Sequence, residues 1–180
     1  MKLIPSDKSV LFLAFSHDIC EELKSRVQQS VMRQVKTCHG FGCGVLNKAL
    51  GSKPTLDDRK YYKMFIAILS YYRGQVNDLM SYAFTSNEMA IVSRFESIAK
   101  ELNAMDNSAT YVSRVSNLTK IARFNLVDTN NGQEHLTELA KKHSIELTNG
   151  EVDCALKLVK IGTAYTSVID FTDMIYLPIA

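Results

Sequence analysis

Four polar side chains and one aromatic ring are the chain's best candidates for binding chemistry. Ser16 and His17 follow one apolar run, and Thr37 and His39 follow a second. Their hydroxyl and imidazole groups donate hydrogen bonds, and the free N–H groups at the start of a helix suit a phosphate. Phe15 ends the first run and can present its ring to a base, since stacking contributes about 1–3 kcal/mol per base. These residue types fit the binding of a single-stranded nucleic acid.

These side chains can act together only if the elements that carry them meet. Residues 10–15 are a continuous apolar run of strand length, typical of a strand covered on both faces. Residues 18–32 place their apolar side chains on one helical face, and residues 35–38 resemble a second short strand. Two strands joined by a helix within about thirty residues are expected to be parallel, with a right-handed crossover. Parallel strands end at one sheet edge, where open sheets bind ligands, so we expect both polar segments there.

The same residues also have purely structural interpretations. A phenylalanine at a strand end, such as Phe15, more often belongs to the core. His39, beside a glycine, fits an ordinary loop histidine. Asp18 at a helix start is a favourable partner for the helix dipole, but it would repel a phosphate. Spacing alone therefore favours the structural interpretation over DNA binding.

Three longer stretches of the chain resemble motifs of UvrD/Rep-type superfamily 1 DNA helicases. Residues 10–26 resemble motif Ia, an apolar strand that ends in Phe-Thr-Asn-Lys or Phe-Asn-Lys and runs into a helix. Residues 35–42 resemble motif Ib, typically Thr-Phe-His followed by Ser or Gly, and residues 170–178 resemble the Asp-Phe-Asp-Asp segment before the Walker B strand. The matching positions in the first two stretches are Phe15, Glu22, Leu23, Arg26, Thr37, His39 and Gly40. The resemblance covers essentially the whole chain, although the middle matches only in type and length.

Several positions depart from the family pattern. Ser16 stands where Thr or Asn is usual, which keeps a hydroxyl. His17 and Asp18 replace a polar and a basic residue, which weakens any phosphate contact implied there. Gly42 and Gly44 fall where the family continues a helix, so we expect a weaker helix here.

The resemblance implies an α/β, predominantly helical fold, namely a partial RecA-like P-loop NTPase domain (1A) with an inserted helical 1B subdomain. Residues 1–52 would belong to domain 1A with motifs Ia and Ib, residues 53–162 to 1B, and residues 163–180 to a return segment of 1A. Helical periodicity after residue 53 is consistent with this, with a helix N-cap at Ser86-Asn87. The apolar stripes are Tyr61, Phe65, Ile68 and Tyr72; Val76, Leu79 and Ala83; Met89, Val92, Phe95, Ala99 and Leu102; Val115, Leu118, Ala122 and Leu126; and Val152, Ala155, Leu156 and Val159.

The resemblance also implies a role for each candidate residue. Phe15 would stack on a base, and Ser16 and His17 would face the sugar-phosphate backbone. Thr37 and His39 would hold a neighbouring phosphate. The implied partners are single-stranded DNA and the remainder of the helicase motor, with no membrane. The intact parent would be an ATP-dependent helicase that uses ATP and Mg²⁺.

The chain lacks the sequence motifs of an ATP site. It contains neither a G-x-x-x-x-G-K-[ST] loop nor an Asp-Glu-x-x-Gln-Asp box. We therefore expect a fragment that holds no cofactor and is inactive as an ATPase by itself. Residues 2–5 resemble the tail of a helix, and residues 170–178 the start of one, so the sequence looks cut at both ends. The alternative is a non-enzymatic helical interaction module derived from a helicase.

Composition narrows the class of protein only slightly. A hydrophobic content of 46% allows a buried core, and a net charge of +2 is too small to indicate a nucleic-acid partner by itself. The four cysteines lie in apolar or strand-like stretches, so buried, reduced thiols are expected, and no zinc-ligand spacing is complete. Nothing in the sequence resembles a signal peptide, and no apolar run reaches the ~20 residues that span a bilayer. We therefore expect a soluble chain in the cytoplasm, or in the nucleus of a eukaryote.

Overall fold

The described part of the chain is predominantly helical, with two small sheets. The computed structural model describes residues 8–27, 33–76, 79, 82, 84–103, 108–148 and 150–179. Within these residues each sheet has two parallel strands. The predicted α/β, predominantly helical class is thus confirmed at this level. None of the described helices combines the length and apolar character needed to cross a membrane. Residues 2–5, where a helix tail is predicted, lie outside the described part.

The first sheet belongs to the strand–helix–strand unit that the sequence predicts. Strand β1 is Val10–Ala14, helix α1 is His17–Arg26 and strand β2 is Arg33–Thr37. The strands are parallel, with Ala14 opposite Thr37. Both strands therefore end at the same level, and the two polar segments begin at one sheet edge. Helix α1 ends at Arg26, and Val27 after it is extended, so the prediction that the helix continues to about residue 32 is wrong.

The prediction that β1 is covered on both faces is wrong. Phe12 and Ala14 pack into a small apolar cluster with α1 and β2. Leu11 and Leu13, on the opposite face, are 40% and 47% exposed. The continuous apolar run has this outcome because no described element fully covers the face that carries Leu11 and Leu13. A continuous apolar run shows that both faces of a strand are suited to burial, but it does not show that both faces are buried.

Helix α2, Cys38–Leu50, follows β2 directly and runs without a break through Gly42 and Gly44. The expected weakening of this helix considered only the helix propensity of glycine and did not include the tertiary contact of Gly42. A Cβ built on Gly42 would lie 1.7 Å from the carbonyl oxygen of Met174, whereas one on Gly44 would meet nothing within 4 Å. The glycine at position 42 thus permits a close backbone approach, and the tertiary contact offsets its low helix propensity.

The second sheet was not predicted. Strand β3, Thr55–Leu56, pairs in parallel with β4, Val168–Ile169. Its first strand lies where the composition indicates only helices, because two residues are too few to show strand alternation. The pairing brings together the two ends of the helical region, which are more than a hundred positions apart in the sequence.

The remaining helices form the main core. They are α3 Lys60–Tyr72, α4 Ser86–Val92, α5 Glu96–Asn103, α6 Ser108–Phe124, α7 Gln133–Lys142, α8 Glu151–Ala164 and α9 Asp173–Tyr176. The fully buried side chains at their centre include Phe65, Phe95, Leu118, Leu136 and Leu158. Helices α3 to α7 and most of α8 fall within residues 53–162, the region predicted to be helical, and α9 lies within residues 170–178, where the sequence predicts the start of a helix.

The predicted apolar stripes agree with this core, with a few corrections. The buried faces of α3, α5 and α8 contain the predicted residues except Tyr72 and Val152, which are partly buried. A 3₁₀ turn at Ser93–Phe95 separates α4 from α5. The cap of α4 is Thr85, one residue before the predicted position, in a capping box with Glu88. Leu126 is 54% exposed with a φ of 49°, because α6 ends at Phe124. Val76 is exposed and lies outside any helix, and Ala83 lies outside the described residues.

Candidate nucleic-acid interface

Three aromatic rings meet at the edge where β1 and β2 end. Phe15 and His39 have ring centroids 6.4 Å apart, and His39 and Phe171 have centroids 5.8 Å apart. Both contacts are edge-to-face, at interplanar angles of 61° and 89°. We call Phe15, His39 and Phe171 the aromatic cluster. It joins residues from the ends of two strands with one from the loop after β4.

The two phenylalanine rings of the cluster are open to solvent. Phe15 is 79% exposed and Phe171 is 50% exposed, while His39 between them is partly buried. The interpretation of Phe15 as a core residue is therefore wrong. An edge-to-face contact covers at most one face of one of its two rings, and large aromatic residues grouped at a surface are typical of interaction sites. The cluster has the geometry of a platform for another flat, apolar group.

The two hydroxyl groups at this edge are helix caps. Ser16 Oγ accepts a hydrogen bond from the Ile19 N–H over 3.2 Å, and Thr37 Oγ1 accepts one from the Gly40 N–H over 3.1 Å. Each hydroxyl stabilises the start of its helix, an effect of about 1 kcal/mol. Each still has its own O–H to donate to an external acceptor. The hydroxyls thus combine a structural role with the capacity to bind a ligand oxygen.

The charges around His17 are less favourable to a phosphate. His17 is exposed, and its Nε2 lies 3.8 Å from Glu21 Oε1. The hydrogen bond that Lys24 donates to Glu21, over 2.7 Å, lowers the pKa of that carboxyl, which stays ionised at neutral pH. Asp18 adds a second carboxylate in the first turn of α1. A phosphate therefore meets less repulsion at the start of α2, whose first turn has no acidic residue.

A buried group of charges holds the segment that carries Phe171. Arg123, in α6, donates from Nη1 and Nη2 to the two carboxylate oxygens of Asp170 over 2.7 and 2.8 Å. Its Nη1 also donates to Asp173 Oδ1 over 2.6 Å. The Asp173 N–H donates to Asp170 Oδ1 over 2.7 Å, and the Asp170 N–H donates to Asp173 Oδ2 over 3.2 Å. Phe171 thus lies in a short segment that is fixed on both sides.

Lys60 and Tyr61, at the start of α3, complete this ion-pair cluster. Lys60 Nζ donates to Asp173 Oδ2 over 2.7 Å, and the Tyr61 hydroxyl donates to Oδ1 over 3.1 Å. The Arg123 guanidinium lies 3.8 Å from the centre of the Tyr61 ring. Two cations thus face two carboxylates, Asp170 and Asp173, and none of the four side chains is more than 4% exposed. Removing one partner of such a pair typically costs about 3–5 kcal/mol.

Burial and pairing shift the pKa values in this cluster. Burial lowers the pKa of Lys60, although the nearby Asp173 carboxylate opposes that shift. Burial raises the pKa of Tyr61 well above its ordinary value, so the phenol stays protonated and remains a donor. Burial alone would lower the pKa of Arg123, but its hydrogen bonds to Asp170 and its charge interactions with Tyr61, Asp173 and Asp170 together outweigh that effect, and the pKa is raised. Arg123 therefore remains a cation within the cluster.

The strand positions in the sequence predicted that all five candidate residues lie at one sheet edge, but they gave no indication of Phe171. Phe15, Ser16, Thr37 and His39 come together as their strand positions predict, with His17 beside them. The sequence indicates Phe171 only as part of the stretch 170–178, because no residue near it in the chain links it to His39. The sequence signal that could have drawn attention to Phe171 is its position between two acidic residues, Asp170 and Asp173.

Neither a metal site nor a disulfide is present in the described part of the chain. No group of three or more His, Cys, Asp or Glu side chains there is arranged to hold a metal ion. All four cysteines are free; Cys20 and Cys154 are buried, and Cys38 and Cys43 are partly exposed. The expectation of four buried thiols is therefore correct for two of them.

Comparison of the chain with family models, with curated proteins and with solved structures found no match in any of the three.

Proposed function

We propose that this chain supplies single-stranded DNA contacts to a helicase motor of the UvrD/Rep type. In this proposal residues 1–52 and 163–180 are part of a RecA-like 1A domain and residues 53–162 are its helical 1B insertion. The observation that carries the proposal is the exposed aromatic cluster at the carboxyl edge of β1 and β2. Open parallel sheets bind their ligands at that edge.

The chain's organisation supports an insertion. The strand–helix–strand unit precedes a long helical region, and β3 and β4 pair the two ends of that region. The segment after β4 then returns to the first unit, where Phe171 meets His39. A helical subdomain inserted into an α/β domain has this connectivity.

The contacts available to a single strand follow from the site's geometry. A base would stack on the exposed ring of Phe15, and a neighbouring base on Phe171. The phosphate between them would accept hydrogen bonds from Thr37 and His39 at the start of α2, where the helix dipole favours an anion. His17 would contribute less to phosphate binding, because carboxylates lie near it. Stacking, and not charge, would supply most of the affinity.

Two measurements test this proposal. A fluorescent (dT)15 is titrated with the chain by anisotropy, at several salt concentrations, beside a duplex of equal length. We expect the single strand to bind more tightly than the duplex, since duplex bases are not free to stack. The logarithm of the binding constant should fall only weakly with the logarithm of salt, with a slope no steeper than about −0.7, the value for one neutralised phosphate. Equal affinity for the duplex, or no binding, would reject the proposal.

A non-enzymatic interaction module is the second candidate, and a specific observation favours it. Leu11, Leu13 and Ile19 expose apolar side chains on the same unit that carries Phe15. Such a surface suits a protein partner. This alternative predicts a stable chain with no salt-dependent affinity for (dT)15, so the same titration distinguishes the two.

The proposal assigns no ATP chemistry to the chain. ATP and Mg²⁺ would act in the intact parent, whose P-loop and Asp-Glu box have no counterpart in this sequence. We expect no ATP hydrolysis by the isolated chain, with or without DNA. Hydrolysis stimulated by (dT)15 and abolished by magnesium chelation would contradict this.

A further inference from the structure

We propose that Arg123 is a positioning residue for single-stranded DNA, because it holds Phe171 against the His39 ring. This inference rests on the proposed function, since it concerns the ring surface that the strand would contact. Arg123 is buried and cannot touch the DNA itself. Its effect would pass through Asp170 and Asp173, which flank Phe171 in the sequence.

The backbone on either side of Phe171 is held by hydrogen bonds. The ring itself is half exposed and makes an edge-to-face contact with the His39 ring. The position of the ring therefore depends on how its backbone is held. That backbone is fixed by the two hydrogen bonds between Asp170 and Asp173, whose carboxylates Arg123 holds together.

His39, the other ring of this contact, is also held in place. His39 lies in the first turn of α2, and α2 is packed on α9 where Gly42 meets the carbonyl of Met174. The helix that carries His39 and the segment that carries Phe171 are thus docked on each other. The 5.8 Å distance between the two rings depends on this docking and on the ion-pair cluster.

The hydrogen bonds to Asp170 and Asp173 require an arginine at position 123. The planar guanidinium donates to both oxygens of Asp170 and to Asp173 at the same time. A lysine keeps the charge but offers a single ammonium, which cannot reproduce the two parallel bonds of the fork. Arg123→Lys should therefore loosen the Phe171 segment without leaving the two carboxylates unneutralised.

The test is a double-mutant cycle of Arg123→Lys and Phe171→Ala, with (dT)15 affinity measured by anisotropy. Phe171→Ala should weaken binding by about 5-fold or more, as expected for loss of one stacking contact. Arg123→Lys should weaken it comparably, and should cause no further loss in the Phe171→Ala background. Such non-additivity would not arise from a merely structural role. Circular dichroism checks that each variant is folded; if Arg123→Lys is not, Asp170→Asn takes its place in the cycle.

The matched control is Arg114→Lys, in the same helix. Arg114 Nε donates to the buried carboxylate of Glu151 over 2.6 Å, away from the aromatic cluster. This variant should leave (dT)15 affinity unchanged. Unchanged affinity in folded Arg123→Lys, or a full additional loss in the Phe171→Ala background, would overturn the positioning role alone. If neither Phe15→Ala nor Phe171→Ala alters affinity, the proposed function itself fails, and the inference fails with it.

Discussion

Gly42 in α2 lies so close to the carbonyl oxygen of Met174 in α9 that a Cβ at residue 42 would be 1.7 Å from that oxygen. No side chain can be accommodated at that distance without moving a helix. The contact is what brings the helix of His39 against the segment of Phe171. A glycine that looks like a defect in the sequence of α2 is therefore a requirement of the fold.

Gly42→Ala should destabilise the chain. The added methyl group must push α2 away from α9, and overpacking of this kind costs about 1–3 kcal/mol or more. Gly44→Ala is the matched control, since a methyl group there meets nothing within 4 Å. In that helix interior alanine should raise the free energy of unfolding by about 0.5–1 kcal/mol. Urea unfolding of both variants checks the prediction, which is wrong if the two substitutions shift stability in the same direction.

The four cysteines should react with Ellman's reagent in two classes. Cys38 and Cys43 are partly exposed and should react rapidly in the native chain. Cys20 and Cys154 are buried and should react only as fast as the chain opens. Mass spectrometry of partly labelled protein assigns the sites. Rapid labelling of Cys154 under native conditions would contradict the burial described for α8.

The stability of the chain should fall in alkaline solution partly through Cys154 and Tyr111. Burial raises the pKa of the Cys154 thiol, and it also raises the pKa of the Tyr111 phenol, which hydrogen-bonds to that thiol. The folded state thus favours both protonated forms. Their contribution to the free energy of unfolding is complete below the ordinary pKa values of 9.0 and 10.0 and is lost as the pH rises above them.

Urea unfolding of the wild type and of Cys154→Ala, at pH 7, 9 and 10.5, isolates the thiol's share. Cys154→Ala should be less stable than the wild type at pH 7, because it leaves a small cavity. Between pH 9 and 10.5 it should lose less stability than the wild type, since one ionisable group has been removed. Parallel pH dependences for the two proteins would show that the thiol does not take part.

Long periodic segments of the fold could be predicted from the sequence. The apolar spacing of Tyr61, Phe65 and Ile68 identified the buried face of α3, because a helix of that length repeats the pattern several times. The parallel pairing of β1 and β2 followed from the short helical connection between them. Shared strand ends then predicted that Thr37 and His39 would lie near Phe15.

Contacts between distant residues could not be predicted in this way. Arg123 and Asp170 are 47 residues apart, and neither residue's neighbours indicate that it is buried. The pairing of β3 with β4 left no pattern, because each strand has two residues. Phe171 was missed as part of the site for the same reason, since its place depends on Arg123 and on the docking at Gly42.

The affinity of Phe15→Ala for (dT)15 tests the central claim most directly. Phe15 is the most exposed ring of the aromatic cluster, and its removal disturbs little of the core. Phe124→Ala is the control, because Phe124 is also exposed, at 62%, and takes no part in the cluster. We predict that Phe15→Ala weakens binding by about 5- to 100-fold while Phe124→Ala leaves it unchanged. Equal affinities for the wild type and both variants would contradict the assignment of this edge as a DNA-binding surface.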